Sequence, residues 1–329
     1  MIVYTVLFTL VGKDPAENRY VEMFYIWLTY LIKNGDLGPT DKICIILDKC
    51  TVDFINSEFI LKHILNLCNI PIEFWLIPQP RTLSEGMVHK YSLEEIPAIV
   101  SEFSLYIDLD ITVVSSLRPM SKLMPDTIAV VIEGNINNDD YGGKLIPKEE
   151  RREGYPGFSA AIFAFSYGEY VKNFMSRVKG DCLAQDPPFY TVEQPFFNKY
   201  LYEMFINGDR NYFIFPEKYV ATNDITQSDS VVFVNYCGDP GNGSKHIRKM
   251  IVGICVGILL TGQPAAPSPP PEHPAPPLHP HPHPLHLHRP HPLHLHLPQE
   301  QEQEHEAQES QAPSEASVAH PQADHSHTQ

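Results

Sequence analysis

The chain is short of basic residues, with 24 Lys and Arg against 40 Asp and Glu among 329 residues and a formal net charge of -16. Proteins that bind DNA or RNA neutralise phosphates with Lys and Arg, so this balance argues against nucleic acid as a partner. Metal ions and small charged ligands remain compatible with it.

Closely spaced cysteine pairs are also missing. None of the six cysteines forms a Cys-x-x-Cys pair, the spacing typical of many zinc and redox sites. Apolar neighbours, as around Cys44 in Lys-Ile-Cys-Ile-Ile, instead predict buried free thiols. We therefore expect a reducing compartment, the cytoplasm, with the cytosolic face of a membrane as the alternative.

Long apolar runs are absent as well. The N-terminal apolar stretch has neither a basic region nor a cleavage site, which favours a first buried strand over a secretion signal. Residues 250–262 are mostly apolar but fall short of the roughly 20 residues that a membrane span needs. They predict either a terminal helix or strand packed on the domain, or a weak membrane contact through residues 247–262.

Residues 263–329 have a different composition from the rest of the chain. They hold 13 of the 16 histidines and most of the prolines, and no aromatic residue. Burial there cannot offset the entropy of ordering the chain, so we predict a disordered tail. A metal-collecting role for its histidines is the alternative.

The first 250 residues alternate between two kinds of apolar pattern. This alternation predicts a parallel sheet covered by helices on both faces, with ligands at the carboxyl ends of the strands. We expect one α/β domain over residues 1–250, followed by the apolar segment 251–262. The predicted strands are residues 3–9, 42–47, 72–77 and 105–109, and the predicted helices are residues 20–33 and 53–68.

Two carboxylates follow the last of these strands, at Asp108 and Asp110. On an extended backbone, side chains two residues apart point the same way. Their mutual repulsion would be relieved by a divalent cation with oxygen ligands. Such a cation can neutralise charge on a departing diphosphate. The alternative is that the two aspartates only cap the following turn.

Four motifs in the same order as in a known family carry a resemblance. Tyr106-Ile-Asp-Leu-Asp resembles Tyr-Leu-Asp-Ala-Asp, and Gly157-Phe-Ser-Ala-Ala resembles a strand beginning Asn-Ser-Gly. Glu193-Gln194 with Asn198 resembles Asp-Gln and a later Asn. Asn235-Tyr-Cys-Gly with Lys245 resembles His-Phe-x-Gly and a nearby Lys. Over about residues 2–250 the chain thus resembles the GT-A glycosyltransferases, and in particular the glycogenin-like family 8.

The resemblance implies a Rossmann-like GT-A fold, Mn²⁺ or Mg²⁺ as cofactor and transfer from a nucleotide sugar, UDP-linked, with retention. Asp108 and Asp110 then hold the metal and the diphosphate. Asn235 stands where the family has a histidine as third ligand, and its amide oxygen suits manganese less well than imidazole does. Gly238 and Lys245 lie by the donor phosphates.

The same resemblance assigns further residues to the donor and acceptor. Thr9 and Tyr20 contact the nucleoside, although Tyr20 is equally compatible with the core. Lys90 reaches the donor or, alternatively, is a solvated charge on a helix. Ser159, assigned to donor binding, faces the acceptor side with the catalytic pair Glu193 and Gln194. The single acid of that pair leaves inversion open.

Two other functions fit part of the pattern. The segment around Asp108 and Asp110 also matches haloacid-dehalogenase-like phosphatases, with Asp108 as nucleophile. A catalytically silent module that binds nucleotide sugars or glycans is the second alternative, which Asn235 favours. For a transferase the acceptor is a glycan, protein or lipid, and the polar residues 134–154 are expected to form a mobile lid over the donor.

Overall fold

The computed structural model describes residues 1–66, 68–92, 103–186, 188–189, 191–222, 230–236, 247, 250 and 295–296. Gly238 and Lys245, the apolar segment from residue 251 and nearly all of the tail lie outside the described residues. The predictions made for them therefore stay predictions.

Parallel strands form the first half of a central sheet. They are β1 (Ile2–Leu7), β2 (Lys42–Asp48), β3 (Ile72–Ile77) and β4 (Ser104–Ile107). These strands are rich in Ile, Leu, Val and Tyr. Every residue of β1 and of β4 is buried. Four helices connect this half of the sheet: α1 (Arg19–Asn34), α2 (Lys49–Ser57), α3 (Phe59–Asn66) and α4 (Leu83–Met87).

Antiparallel pairing extends the sheet beyond β4. The strand β7 (Pro156–Ser166) pairs antiparallel with β4 and with β6 (Thr127–Asn135), and β8 (Tyr212–Ile214) lies parallel to β6. Helices α5 (Glu169–Ala184) and α6 (Gln194–Asn207) cover this half. The seven strands run in the order β3-β2-β1-β4-β7-β6-β8, with the two-residue strand Leu295–His296 beside β3.

A second, small sheet lies after the Asp108–Asp110 segment. It consists of β5 (Ile111–Val113), β10 (Phe233–Asn235) and β9 (Val220–Thr222), with β10 in the centre. Because β4 and β5 are nearly contiguous in the chain, the segment between them joins the two sheets.

Several element boundaries differ from those predicted from the sequence. The Asp48 side chain accepts from Thr51 N at 3.0 Å and caps α2, so this helix begins at Lys49 and not at residue 53. It ends at Ser57, and α3 follows as a separate helix, so the single predicted helix over residues 53–68 is wrong. The predicted strands 3–9 and 105–109 end earlier, at Leu7 and Ile107.

The inner strands β1, β2 and β4 of the central sheet are buried on both faces, as predicted for an α/β domain. Phe24, Trp27 and Leu31 of α1 pack on one face of it. The helical residues Ile247 and Met250 are buried in the same cluster. Within the described part of the chain, no helix is long and apolar enough to cross a membrane. Four cysteines in this part are free thiols: Cys44, Cys50, Cys68 and Cys182.

Candidate functional site

A cavity of about 630 Å³ lies at the carboxyl ends of β1 and β4. The connection from β1 to α1, the Asp108–Asp110 segment, parts of β6 and β7, the residues before α6 and the end of β10 line it. The predicted residues that it brings together are Thr9, Tyr20, Asp108, Asp110, Glu193, Gln194 and Asn235.

Asp108 and Asp110 belong to a turn and not to the end of a strand. Ile111 N donates to Asp108 O at 3.2 Å, which closes the turn, and Asp108 N donates to Ala161 O on β7 at 2.9 Å. Tyr236 N, which follows β10, donates to Asp110 O at 3.0 Å. The predicted extended backbone is therefore wrong at these residues. Both aspartates nevertheless line the cavity, because a turn held by both sheets presents them there.

The Asp108 carboxylate lies in a charged and partly enclosed setting. Tyr106 Oη donates to Asp108 Oδ1, and Lys90 Nζ is 3.9 Å from the same oxygen. Burial raises the pKa of Asp108 to about 7. Lys90 and Tyr106 oppose this rise, while the negative charges of Asp110 and Glu193 add to it.

Lys90 is a buried cation behind the cavity wall. Its side chain is 0% exposed, forms an ion pair with Glu193 and donates to Ala160 O at 3.0 Å. Burial alone would lower the pKa of Lys90, but Asp108 and Glu193 outweigh it and the pKa is raised. The alternative of a solvated helix charge is wrong, because Lys90 is buried against carboxylates of two other segments. Lys90 itself does not line the cavity. It contacts the carboxylates of Asp108 and Glu193, which do.

Glu193 and Gln194 enter the cavity from the start of α6. Gln194 Oε1 accepts from Ala160 N at 3.2 Å, and Nε2 donates to Asp140 O at 3.3 Å. Val192, just before the pair, has a φ of 52°, which is unfavourable for a β-branched residue. Asn198 bonds both backbone groups of Phe158, so it ties α6 to β7.

Glu133 is a cavity residue that no sequence motif indicated. The pairing of β6 with β7 is irregular on either side of Ile132, and irregularities of this kind redirect side chains. Asn235 Nδ2 donates to Glu133 Oε1 at 3.1 Å, which leaves the Asn235 amide oxygen as an acceptor. Enclosure within the cavity raises the pKa of Glu133, and Asp110 adds to the rise, while hydrogen bonds from Ser159 and Asn235 oppose it.

Ser159 is placed differently from the sequence prediction. It is 2% exposed and is not among the described residues that line the cavity. Its hydroxyl contacts Glu133 and accepts from Ala161 N at 3.2 Å. Ser159 therefore supports the cavity wall from behind instead of facing a ligand.

The predicted nucleoside residues, Thr9 and Tyr20, line the part of the cavity that follows β1. Thr9 N donates to Asp48 Oδ2 at 2.8 Å, and the Thr9 hydroxyl accepts from Asn18 Nδ2 at 3.1 Å and from Thr51 Oγ1 at 2.9 Å. Thr9 is therefore held by a polar network that orders this part of the cavity. Tyr20 is 41% exposed and lines the cavity, so the core alternative for Tyr20 is wrong.

The described cavity lining is strongly acidic. It contains one basic residue, Lys13, and seven acids: Asp14, Glu17, Asp108, Asp110, Glu133, Asp140 and Glu193. No group of three or more His, Cys, Asp and Glu side chains in the described residues is arranged to hold a metal ion. A cation between Asp108 and Asp110 would thus take further oxygens from Asn235 or from a ligand, and this oxygen set fits a hard divalent ion.

The segment expected to form a lid is anchored along much of its length. Asp140 and Tyr141 line the cavity, and Ile136 is fully buried. Arg151 Nε donates to Ile146 O at 2.8 Å, which ties the later part of the segment to itself. Closure over a donor stays a prediction for this segment.

Comparisons with known proteins identify the fold. No family model and no curated protein matches the sequence. The apo structure of the bifunctional glycosyltransferase WbbM matches with a TM-score of 0.52 and 13% identity, over 75% of this chain and 49% of that one. The chain thus spans about half the length of WbbM. The apo structure of mouse xyloside xylosyltransferase 1 matches at 0.47 and 10%, over 72% and 98% of the two chains.

The match to WbbM shows a GT-A-like glycosyltransferase fold for this chain. A phosphatase of the haloacid-dehalogenase type would need a different arrangement, in which the aspartate motif opens the domain. Here Asp108 follows the fourth strand.

Proposed function

We propose that the chain is a metal-dependent glycosyltransferase that moves a sugar from a UDP-sugar to an acceptor hydroxyl, with retention. One observation carries the proposal: within a GT-A-like fold, the turn at Asp108 and Asp110 presents two carboxylates to the cavity at the end of β4. Ligands of open α/β sheets bind at this edge.

The negative charge of the cavity lining supports a role for a metal cation in donor binding. Apart from Lys13, the described lining supplies only acids as charged groups, and a nucleotide sugar carries a negative diphosphate. Asp108, Asp110 and the Asn235 amide oxygen would hold Mn²⁺ or Mg²⁺. When bound there, such an ion neutralises charge on the departing diphosphate.

The ion pair between Lys90 and Glu193 supports retention. An inverting enzyme needs a carboxylate that takes a proton from the acceptor hydroxyl. Glu193 is 4% exposed and its Oε1 is held by the Lys90 ammonium, so little of this carboxylate is open to take the proton of an acceptor hydroxyl. We therefore assign Glu193 and Gln194 to orienting the sugar and the acceptor.

The test measures UDP release from a set of UDP-sugars in the presence of Mn²⁺, with the full-length protein. We expect release to need the metal and to fall by at least about 100-fold in Asp110→Asn. Asp53→Asn, on the exposed face of α2, is the matched control and should release UDP like the wild type.

Three results would contradict the proposal. Unchanged release in Asp110→Asn would remove the role of the carboxylate pair. Binding of UDP-sugars without turnover, with or without an acceptor, would indicate the silent binding module. Release of inorganic phosphate from a phosphoester would indicate a phosphatase.

A further inference from the structure

We propose that Tyr141 is the platform of an acceptor subsite for a neutral pyranose, so that the acceptor is a glycan. This inference rests on the proposed glycosyl transfer. It concerns the part of the cavity lined by the residues before α6 and by β6 and β7, strands that lie on the other side of β4 from β1 in the sheet.

The Tyr141 ring lies on a pair of glycines. Gly134 of β6 and Gly157 of β7 are register partners. A Cβ atom at Gly134 would lie 2.3 Å from Tyr141 Cε2, and one at Gly157 would lie 2.5 Å from Tyr141 Cγ. Only glycine at both positions lets the ring approach the backbone this closely. The two strands thus form a flat seat under one face of the ring.

The backbone around Tyr141 holds the ring on this seat. Tyr141 N donates to Asn138 O at 3.0 Å, which closes a turn. The next residue, Gly142, has a φ of 94°, a conformation that favours glycine. A Cβ atom there would also lie 3.1 Å from Pro195 O at the start of α6. A side chain fixed in this way loses little entropy when a ligand binds to it.

Tyr141 also lines the cavity and is only partly buried. One ring face is covered by the glycine seat, so the surface that Tyr141 offers to the cavity comes from the rest of the ring. An aromatic ring held in place in this way can pack against the C–H groups on one face of a pyranose.

The polar groups around Tyr141 suit hydroxyls and disfavour anions. Glu133, Asp140, Glu193 and Gln194 line the same part of the cavity and offer carboxylate and amide oxygens that accept hydrogen bonds from hydroxyls. The one basic residue of the described lining, Lys13, belongs to the β1–α1 connection. An acceptor that carries a phosphate or carboxylate would be repelled by the carboxylates of Glu133 and Asp140, so we infer a neutral sugar.

The experiment measures saturation-transfer NMR from the full-length protein to methyl α- and β-glycosides of glucose, galactose and xylose, without donor. We expect saturation of the ring C–H protons of at least one glycoside. Tyr141→Leu, which keeps an apolar side chain but has no flat face, should lower apparent affinity by about fivefold or more. Tyr141→Phe, which keeps the ring, should retain binding.

The outcomes separate this inference from the proposed function. Absence of binding by every methyl glycoside, equal affinity in Tyr141→Leu, or tighter binding of methyl glucuronide would each overturn the subsite. These results leave the metal-dependent release of UDP unaffected. Thermal melting of each variant confirms folding, and if Tyr141→Leu unfolds, Gly157→Ala, which displaces the ring from its seat, takes its place with the same expected loss.

Discussion

At the scale of single residues, Lys90 shows how strongly the cavity depends on charges that lie behind its wall. Its ammonium is fully buried against Glu193 and Asp108 and above the Tyr106 ring, 4.8 Å from the ring centroid. A buried ion pair contributes little beyond an apolar contact of the same size, but removal of one partner leaves the other charge uncompensated.

Lys90→Met should therefore lower the free energy of unfolding by about 3–5 kcal/mol at pH 7, since it strands two enclosed carboxylates. Urea unfolding of the full-length protein measures this change. Lys49→Met is the control, because the Lys49–Asp53 pair is 68% and 58% exposed and its loss should cost within about 0.5 kcal/mol. Equal losses of unfolding free energy in the two variants would show that the buried Lys90 charge stabilises the fold no more than an exposed one.

At the scale of secondary structure, glycine has opposite roles in two elements. Gly157 in β7 has the Tyr141 ring in close contact, whereas Gly180 in α5 is exposed and has no atom near the position of a Cβ. Replacement of glycine by alanine should therefore change the free energy of unfolding in opposite directions at the two positions. In β7 it adds atoms to an occupied space, and in α5 it only reduces the freedom of the unfolded chain.

Gly157→Ala should lower the free energy of unfolding by about 1–3 kcal/mol, because the methyl group displaces the ring. Gly180→Ala should raise it by about 0.5–1 kcal/mol, the gain in helix propensity. Thermal and urea unfolding of the two variants beside the wild type test both signs. A stabilising Gly157→Ala would mean that Tyr141 does not occupy the seat.

At the scale of the whole molecule, Asp41 connects segments that are far apart in the chain. Its carboxylate accepts from Gly38 N at 2.6 Å, from Arg118 Nη2 at 2.5 Å and from the Met1 ammonium at 3.0 Å. Burial alone would raise the pKa of Asp41, but these donors outweigh it and lower the pKa below its usual value. A depressed pKa in the folded state stabilises the fold above the unfolded pKa, and this contribution is lost as pH falls through the folded pKa.

Asp41→Asn should therefore cost about 1–3 kcal/mol of unfolding free energy at pH 7, since it weakens hydrogen bonds from charged donors. The difference from the wild type should shrink as pH falls below about 4, the ordinary Asp pKa, because the carboxyl then binds a proton in the unfolded chain and, at still lower pH, in the folded protein. Urea unfolding between pH 7 and pH 3 measures it. A difference that stays constant with pH would contradict the assignment, and Asp53→Asn on exposed α2 should show almost none at any pH.

The sequence alone determined the alternation of strands and helices and the position of the acidic pair at the cavity. Burial periodicity is a local property, so the buried runs of β1 and β2 and the amphipathic α1 can be recognised from neighbouring residues. The cap at Asp48 and the break between α2 and α3 also have local signals. The apolar pattern continues across the break, however, and therefore predicted a single helix there.

Only the tertiary structure decided which side chains face the ligand space and which support it. Glu133 meets Asn235 across 102 residues of chain, and Lys90 meets Ala160 across 70. Ser159 lies behind Glu133, and Asp108 and Asp110 share a turn that both sheets hold. Contacts of this kind depend on how strands pair in space, and short-range sequence patterns carry no record of that pairing.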